Sequence, residues 1–189
     1  INALANTGIV YQYLGQFDKQ LEYCLQALAL IEKGGQKEKL GTMYQNIANA
    51  YYNLGQFRRS IGFSLFSLEH HRQTGSNAYP NRIYATLGQS YAMLKNTDSA
   101  LFYYTTAINE SIKLNDKYAV AAIYGYMANT YADRYEFKKM LEVSERSLKL
   151  SEELQSNQML ASSLYNIAYA NYFNGDNMAA RQHINKAME

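Results

Sequence analysis

The sequence predicts an all-α fold that is built from helical hairpins stacked along the chain. A tyrosine followed by Leu-Gly-Gln-Phe occurs at Tyr11 and 14–17, and the same pattern returns at Tyr51 and 54–57. Apolar residues within the copies recur at intervals of three and four, which is the stripe of an amphipathic helix. The chain has a single Pro among its 189 residues, and this scarcity favours long uninterrupted helices.

The repeat runs through the whole chain without an insertion, so that position i of one copy aligns with position i + 40 of the next. The aligned positions of the repeated tyrosine are Tyr11, Tyr51, Tyr91, Tyr131 and Asn171. A small residue stands three positions earlier in every copy, at Gly8, Ala48, Gly88, Ala128 and Ala168. Because a residue without bulk lets two helices approach closely, these positions are predicted at helix contacts. We expect one domain over residues 1–189, with repeats at 1–40, 41–80, 81–120 and 121–160 and a truncated fifth at 161–189.

Each copy is predicted to contain two helices, the first over about residues 2–14 of the repeat and the second over about residues 17–33. The turn between them contains Gly15, Gly55 or Gly175, and glycine can adopt the left-handed conformation that ends a helix. Pro80 supports this register, because it falls where the third copy's first helix should begin and the first helical turn tolerates proline. Breaks between copies are predicted at Gly34-Gly35, Thr74-Gly75-Ser76, Asn115-Asp116 and Ser156-Asn157.

The small and aromatic positions together resemble the tetratricopeptide repeat, and the resemblance covers the whole chain. The family signature has a small residue, an aromatic residue three positions later and a second small residue near the end of the hairpin. The second small residue is provided by Ala27, Ser67, Ala107, Ser147 and Ala187. The resemblance implies a right-handed superhelical solenoid whose first helices line the concave wall and whose second helices line the convex wall.

The repeats depart from the family pattern in length and in the second helix. The period is roughly 40 residues, whereas that of the family is about 34 residues. The family's usual alanine early in the second helix is replaced in several copies, where the positions are Gln20, Ser60, Ala100, Met140 and Ala180. A longer second helix follows, and this variant resembles the extended repeats of bacterial peptide-sensing regulators and of some animal scaffold proteins.

Composition and charge argue against several classes of protein. The formal net charge is +2 and the Lys and Arg residues are scattered, so this segment is not expected to bind nucleic acid directly. No apolar run approaches the roughly 18 to 20 residues that a membrane span needs. Cys24 is the single cysteine, so an internal disulfide cannot form. The compartment stays open between the cytoplasm, which is favoured, and a periplasmic sensor segment.

No catalytic residue, metal site or cofactor is predicted. His70 and His71 are adjacent, so on a helix they point about 100° apart and cannot jointly hold one metal ion. Cys24 lies on the apolar stripe of its helix, where a buried structural thiol is expected. Several cations open second helices and could align as a basic ridge for an acidic partner, although solvated charge is the simpler interpretation. These cations are Lys19, Arg58, Arg59, Lys138 and Lys139.

Carboxamide and tyrosine side chains dominate the strip that the first helices should expose on the concave wall. A carboxamide carries a donor and an acceptor, so it can pair with both backbone groups of an extended peptide, and tyrosine adds contact area at a small entropic cost. The alternative is that these are only polar residues of a solvated helix face. The predicted peptide-binding residues are Asn6, Tyr13, Gln45, Asn46, Asn49, Tyr52, Asn53, Arg82, Gln89, Tyr126, Asn129, Asn166 and Tyr169.

We therefore expect a non-catalytic module that binds a protein or peptide through this Asn- and Tyr-rich groove. The resemblance to peptide-sensing regulators places it in a larger bacterial signalling or transcription-regulatory protein. The alternative is a structural scaffold, including a homo-oligomer, that associates through its convex face or its C-terminal end. In that interpretation Met178, Ile184 and Met188 are apolar side chains that a partner covers.

Overall fold

The computed structural model describes residues 1–75 and 80–188, and within these ranges the chain forms ten α-helices, one 3-10 helix and no strand. The all-α prediction with two helices in each copy is confirmed. Ser76, part of one predicted break between copies, lies outside the described residues. The helices are α1 (Asn2–Tyr13), α2 (Phe17–Gly34), α3 (Leu40–Asn53), α4 (Phe57–Thr74), α5 (Pro80–Met93), α6 (Thr97–Lys113), α7 (Lys117–Asp133), α8 (Phe137–Glu153), α9 (Asn157–Phe173) and α10 (Asn177–Met188), with the 3-10 helix Lys37–Lys39 before α3.

The chain divides into two compact units, Ile1–Asn96 with α1 to α5 and Thr97–Glu189 with α6 to α10. In the first unit, α1 packs on α2 and α3 on α4, while α2–α3 and α4–α5 contacts join successive hairpins. In the second unit, consecutive helices from α6 to α10 pack on one another, and α7 also contacts α9. Within each unit the helices thus contact mainly their neighbours along the chain, as stacked hairpins do. The single domain over residues 1–189 stays a prediction.

The turns between the two helices of each copy use a left-handed residue, but glycine is not present at every one. Gly15, Gly55 and Gly175 have φ angles of 68°, 71° and 89°. Lys95 and Tyr135 occupy the equivalent positions in the third and fourth copies, and both have a φ of 59°. A residue with a Cβ atom pays roughly 1 to 2 kcal/mol for this conformation. The turn geometry is therefore kept at these two sites against local strain, and the Leu-Gly-Gln motif identifies only some of the turns.

The predicted small positions lie at close contacts between helices. Ala48 and Ala128 are fully buried, and Gly8 is buried where α1 meets α2. A Cβ atom on Gly8 would lie 3.1 Å from Cys24 Sγ, which is tighter than an ordinary van der Waals contact. Cys24 is itself buried among the apolar side chains that α2 and α3 contribute to the core of the first unit. The absence of a side chain at Gly8 thus allows the close approach of α1 to α2.

Two buried serines add hydrogen bonds between the helices of a hairpin. Ser67 Oγ donates to the carbonyl oxygen of Gly41 over 2.7 Å, and Ser147 Oγ donates to the carbonyl oxygen of Ala121 over 3.0 Å. The two bonds are in the same register, because 147 − 67 = 80 is two repeats. The sequence pattern predicts only a small residue here, since alanine fills the same position in other copies. The hydroxyl groups therefore contribute a contact that side-chain size alone does not reveal.

The first helices of the fourth and fifth copies begin earlier than the repeat pattern predicts. α7 begins at Lys117 and α9 at Asn157, before the copies themselves start at about residues 121 and 161. Asp116 caps α7, because its Oδ1 accepts a hydrogen bond from the backbone N–H of Ala119 over 3.0 Å. Such a cap stabilises a helix by about 1 kcal/mol. The extra turn brings Tyr118 and Gln158 beside the groove described next.

Candidate functional site

A groove with a volume of about 660 Å³ lies between α7 and α9 in the second unit. These are the first helices of the fourth and fifth copies, and they pack directly on each other. Small side chains form much of the surface, since bulky residues on both helices would close the space. The small residues are Ala121, Ala122, Gly125, Ala161, Ser162 and Ser163. The remaining lining is Tyr118, Tyr126, Asn129, Ser147, Gln158, Met159, Tyr165 and Asn166.

Three of the predicted binding residues line this groove. Asn129 is exposed and Tyr126 is 37% exposed, so both are accessible to a ligand. Asn166 is only 8% exposed, and the expectation that it lies on an exposed strip is wrong. The reason is that α9 packs against α7 and α8 together, which covers more of its surface than an isolated hairpin would. Asn166 therefore belongs to the wall of the groove and not to an open helix face.

None of the residues that line the groove is acidic or basic. Its polar groups are the carboxamides of Asn129, Gln158 and Asn166 together with serine and tyrosine hydroxyls. A Cβ atom on Gly125 would meet no other atom within 4 Å, so this position opens onto free space. Neutral donors and acceptors between tyrosine rings can pair with peptide backbone without requiring a charge on the ligand.

The small residues that open this groove are not among those predicted from the sequence. A usable signal was present, because Ala121-Ala122 and Ala161-Ser162 occupy the same register in two consecutive copies. Gly125 adds a third position without bulk on α7, and the glycine is not required by backbone conformation there, since its φ is not positive. Ala121 is fully buried, whereas Ala122, Gly125, Ala161 and Ser162 keep accessible surface, and small residues at such accessible positions indicate space for a ligand.

In the first unit, Gln45 and Asn49 are engaged in hydrogen bonds within the protein. Gln45 Nε2 donates to Asn49 Oδ1 over 2.9 Å and to Thr86 Oγ1 over 3.0 Å. The Thr86 hydroxyl lies 3.0 Å from Asn49 Oδ1 and from the carbonyl oxygen of Arg82, and its single proton can serve either. The network links α3 to α5, so these two carboxamides hold adjacent first helices together.

Asn53 also bonds within the first unit. Its Nδ2 donates to Gln20 Oε1 over 3.4 Å, and Gln20 Nε2 donates to Gln12 Oε1 over 3.3 Å. Gln20 is 2% exposed, so this chain of carboxamides satisfies a buried polar group between the first two hairpins. Asn53 thereby contributes to the packing of the repeats.

The other predicted residues of the first unit differ in accessibility. Asn6, Tyr13 and Arg82 are exposed, whereas Asn46, Tyr52 and Gln89 are half-buried. The Tyr52 ring packs on Phe57 with ring centres 5.7 Å apart. These six residues keep accessible surface on the first helices, and the binding role of each stays a prediction.

Tyr169 lies in a cluster of aromatic rings in the second unit. Its ring centre is 4.8 Å from that of Phe173 and 6.3 Å from that of Tyr165. Phe137 of α8 stacks on Phe173 with ring centres 4.5 Å apart. Tyr169 is 37% exposed, so it contributes to packing with one face and stays accessible with the other.

The cations of the predicted basic ridge fall into two groups, those that lie over a tyrosine ring and those that are exposed. Lys19 lies over the Tyr11 ring at 5.1 Å, Arg59 over Tyr51 at 5.6 Å and Lys139 over Tyr131 at 5.7 Å. These cations contact the repeated tyrosine of their own copy. Arg58 and Lys138 are exposed beside them. Intramolecular cation–π contacts thus account for the recurrence of a cation at this register.

Metal-binding groups do not assemble in the part of the chain that the structure describes, where no three His, Cys, Asp or Glu residues lie together. Cys24 is buried as expected, and burial raises the pKa of its thiol to about 11. His71 packs against Gly41, where an added Cβ atom would lie 2.7 Å from Nε2 of the imidazole. Across residues 1–75 and 80–188, no helix combines the length and the apolarity needed to cross a membrane.

The sequence and the structure of this chain were compared with those of known proteins. Residues 82–111 match the sequence model of the tetratricopeptide repeat, and no curated protein matches the chain significantly in sequence. BtubC from P. vanneervenii has a similar structure, with a TM-score of 0.86 at 18% identity over 98% of this chain and 77% of BtubC.

Two further solved structures are similar over nearly the whole chain. One is a signal transduction ATPase with numerous domains and a tetratricopeptide repeat sensor from Pyrococcus horikoshii, with a TM-score of 0.81, 18% identity, and coverage of 98% of this chain and 29% of that protein. The other is NprR in complex with its cognate peptide NprX, with a TM-score of 0.74, 19% identity, and coverage of 97% of this chain and 53% of NprR. These structural likenesses show that the chain has the fold of tetratricopeptide-repeat proteins, and residues 82–111 match the repeat itself.

Proposed function

We propose that this chain is a non-catalytic module that binds an extended peptide segment through the groove between α7 and α9. The observation that carries the proposal is a neutral groove of about 660 Å³ in which Tyr126, Asn129 and Asn166 stand beside a surface of small residues. Carboxamides in such a position can pair with the N–H and C=O groups of a peptide, while the tyrosine rings cover its side chains. Because the lining has no charge, shape and backbone contacts determine the fit.

Asn6, Tyr13, Asn46 and Gln89 are proposed as further contact residues in the first unit, where they keep accessible surface. Gln45, Asn49 and Asn53 are assigned to internal hydrogen bonds instead, because their amides already have partners on neighbouring helices. The similarity to NprR, whose structure holds its cognate peptide, supports the peptide as a ligand class. We also propose that the chain is part of a larger bacterial signalling or transcription-regulatory protein. The similarity to a tetratricopeptide repeat sensor in a signal transduction ATPase supports the signalling part of this proposal.

The test is to fill the groove without disturbing the helices. Gly125→Leu places a side chain in the open space at this position, and replacing a mid-helix glycine also favours the helix by about 1 kcal/mol. Wild type and variant are used to capture partners from the native cell extract, and captured proteins are identified by mass spectrometry. Overlapping peptides from each captured partner are then titrated by isothermal calorimetry. We expect one peptide to bind wild type and to lose at least about tenfold in affinity with the variant.

Gly62→Leu is the matched control. Gly62 lies on α4, a second helix, and a Cβ atom there also meets nothing within 4 Å. This variant should capture the same partner as wild type. If Gly125→Leu binds the same peptide with wild-type affinity, the groove is not the binding site and the proposal is wrong.

A second candidate function is a scaffold that associates with itself. Tyr172, Phe173 and Met178 are 62%, 47% and 76% exposed, and the two aromatic residues line a further cavity of about 640 Å³ on α9 and α10. Exposed apolar area of this kind marks protein contacts. Light scattering over a range of protein concentrations tests it, since a scaffold should gain mass with concentration and lose that gain in Met178→Glu. A constant monomer mass contradicts this second function.

A further inference from the structure

A second, separate cavity of about 380 Å³ lies in the second unit where the end of α6 meets α7 and α8. It shares no lining residue with the groove between α7 and α9, so a ligand in one need not occupy the other. Its apolar surface comes from Val120, which is 6% exposed, from half-buried Leu150 and from Ile112, which is 61% exposed. Its remaining lining is largely charged or polar.

The repeat itself shows that Ile112 is unusual. In the other copies with a residue at this register, the position holds Glu32, Arg72 and Glu152. A charged side chain is therefore sufficient for the hairpin at this place, and an exposed isoleucine is not needed for folding. An exposed isoleucine at the edge of a cavity adds apolar surface that a ligand can cover.

Lys149 is a second departure, because no other copy has a cation at this register, where the residues are Ala29, Glu69, Asn109 and Glu189. Lys117 is paired with Glu153 over 2.8 Å, and Arg146 is paired with Glu142 over 2.7 Å. Among the described residues, Lys149 forms no salt bridge of this kind. Lys149 does help to lower the pKa of the Glu153 carboxyl, so these two charges attract each other. The cavity thus combines an apolar surface with a cation, Lys149, that no salt bridge among the described residues holds.

Two carboxylates, Asp116 and Glu153, also line the cavity, and both are engaged within the protein. Glu153 is the partner of Lys117 in the ion pair above. Asp116 is occupied as the cap of α7, where it accepts from the backbone of Ala119. The Arg146 guanidinium lies 5.9 Å from the centre of the Tyr124 ring and donates to Glu142 over 2.7 Å, so both contacts hold it at the cavity. A ligand that brings an acidic group therefore meets the exposed side chains of Lys149 and Arg146 in the lining of this cavity.

We propose that this cavity binds a segment of a partner protein in which a leucine-sized apolar side chain stands next to Asp or Glu. The apolar side chain contacts Ile112, Val120 and Leu150, and the carboxylate pairs with Lys149 and Arg146. Burial of one such side chain is offset in large part by the costs of association, so a single contact of this kind gives a weak, salt-sensitive interaction. It serves as a second contact for a partner and is independent of the peptide groove.

The probe is a short peptide with Glu-Leu-Glu at its centre, acetylated and amidated so that no terminal charge contributes. It is titrated into the isotope-labelled protein and followed by amide chemical shifts, beside a control peptide with Gln-Leu-Gln. We expect shift changes at the end of α6, the start of α7 and the second half of α8. We also expect the Gln peptide to bind at least about fivefold more weakly, and added salt to weaken the Glu peptide.

Ile112→Glu and Lys149→Glu are the test variants, and each should weaken the Glu peptide by at least about fivefold. Both place a residue that another copy already carries at the same register, so the hairpin should fold, and circular dichroism checks this. Lys138→Glu makes the same charge change at the other end of α8 and should leave binding within about twofold. Gly125→Leu should also leave it unchanged, which separates this site from the groove.

The proposal is overturned if the shift changes fall elsewhere, or if no shift occurs at millimolar peptide. It is also overturned if the Gln peptide binds as well as the Glu peptide, since the carboxylate then has no role. Equal losses in Lys138→Glu and Lys149→Glu would indicate general attraction between charges and not a defined site.

Discussion

The guanidinium of Arg59 lies 5.6 Å from the centre of the Tyr51 ring, across the turn that joins α3 to α4. The first copy repeats this relationship with Lys19 and Tyr11 at 5.1 Å. In both copies the cation is the third residue of the second helix, and the tyrosine is close to the end of the first. A cation over a tyrosine ring is therefore part of how these hairpins close, and it explains why cations recur at this register.

Arg59→Met should lower the free energy of unfolding by about 0.5 to 1 kcal/mol, because it keeps the packing of the side chain and removes its charge. Arg58→Met is the control on the adjacent residue, which is exposed, and should change stability by less than about 0.5 kcal/mol. Urea denaturation followed by circular dichroism compares the two. Equal losses would mean that the ring contact of Arg59 contributes nothing specific.

The helices and their contacts could be predicted because the repeat places the same physical demand on every copy. A hairpin needs a residue without bulk where its helices meet, and Gly8, Ala48 and Ala128 supply it at a constant interval. The strip on the first helices was harder to predict. Helical periodicity predicts the side of α9 on which Asn166 lies, but it does not predict how much of that side the neighbouring helices cover. Asn166 is buried because α7 and α8 cover it. Side-chain bonds such as Gln45 to Thr86 depend on distances between hairpins, which a repeat pattern does not contain.

Ser64 and Ser67 lie on the same helix, α4, and we expect their replacement by alanine to have different effects on stability. Both are fully buried on α4, but Ser67 Oγ donates to the Gly41 carbonyl oxygen over 2.7 Å, whereas Ser64 Oγ has no hydrogen-bond partner among the described residues. Ser67→Ala should lower the free energy of unfolding by about 0.5 to 1.5 kcal/mol. Ser64→Ala should leave it unchanged or raise it, since it removes a buried polar group without a partner.

Urea denaturation of the two serine variants is the measurement. Alanine stands at the register of Ser67 in the first and third copies, as Ala27 and Ala107, and both are fully buried, so the substitution itself leaves no misfit. A loss in Ser64→Ala as large as that in Ser67→Ala would show that the hydrogen bond to Gly41 is not the cause.

We expect the free energy of unfolding to depend on pH because of His71. Burial lowers its pKa below 6.5, and the neighbouring His70 lowers it further, because both disfavour the imidazolium form. As pH falls through 6.5, the unfolded chain takes up a proton that the folded chain resists, so the free energy of unfolding decreases until the pKa of the folded state is passed. Above pH 6.5 this contribution is constant.

His71→Gln should remove this part of the pH dependence between about pH 7 and pH 5. Thermal melts of wild type and variant over that range isolate it, because other titrating groups are common to both proteins. His70→Gln should reduce the dependence without abolishing it, since burial is the larger cause at His71. If His71→Gln keeps the full wild-type slope, His71 titrates alike in the folded and unfolded chains.

Asn49 and Asn46 lie on the same helix, α3, but we expect only Asn49 to contribute to stability. Asn49 Oδ1 accepts from Gln45 Nε2 over 2.9 Å and lies 3.0 Å from the Thr86 hydroxyl, so Asn49→Ala leaves two polar groups of the network without this acceptor. We expect a loss of about 1 to 2 kcal/mol in the free energy of unfolding. Asn46 is half-buried, and among the described residues its side chain makes no such bond, so Asn46→Ala should stay within about 0.5 kcal/mol. Urea denaturation decides between them, and a stable Asn49→Ala variant would mean that the network between α3 and α5 is not required and that Asn49 is available to a ligand.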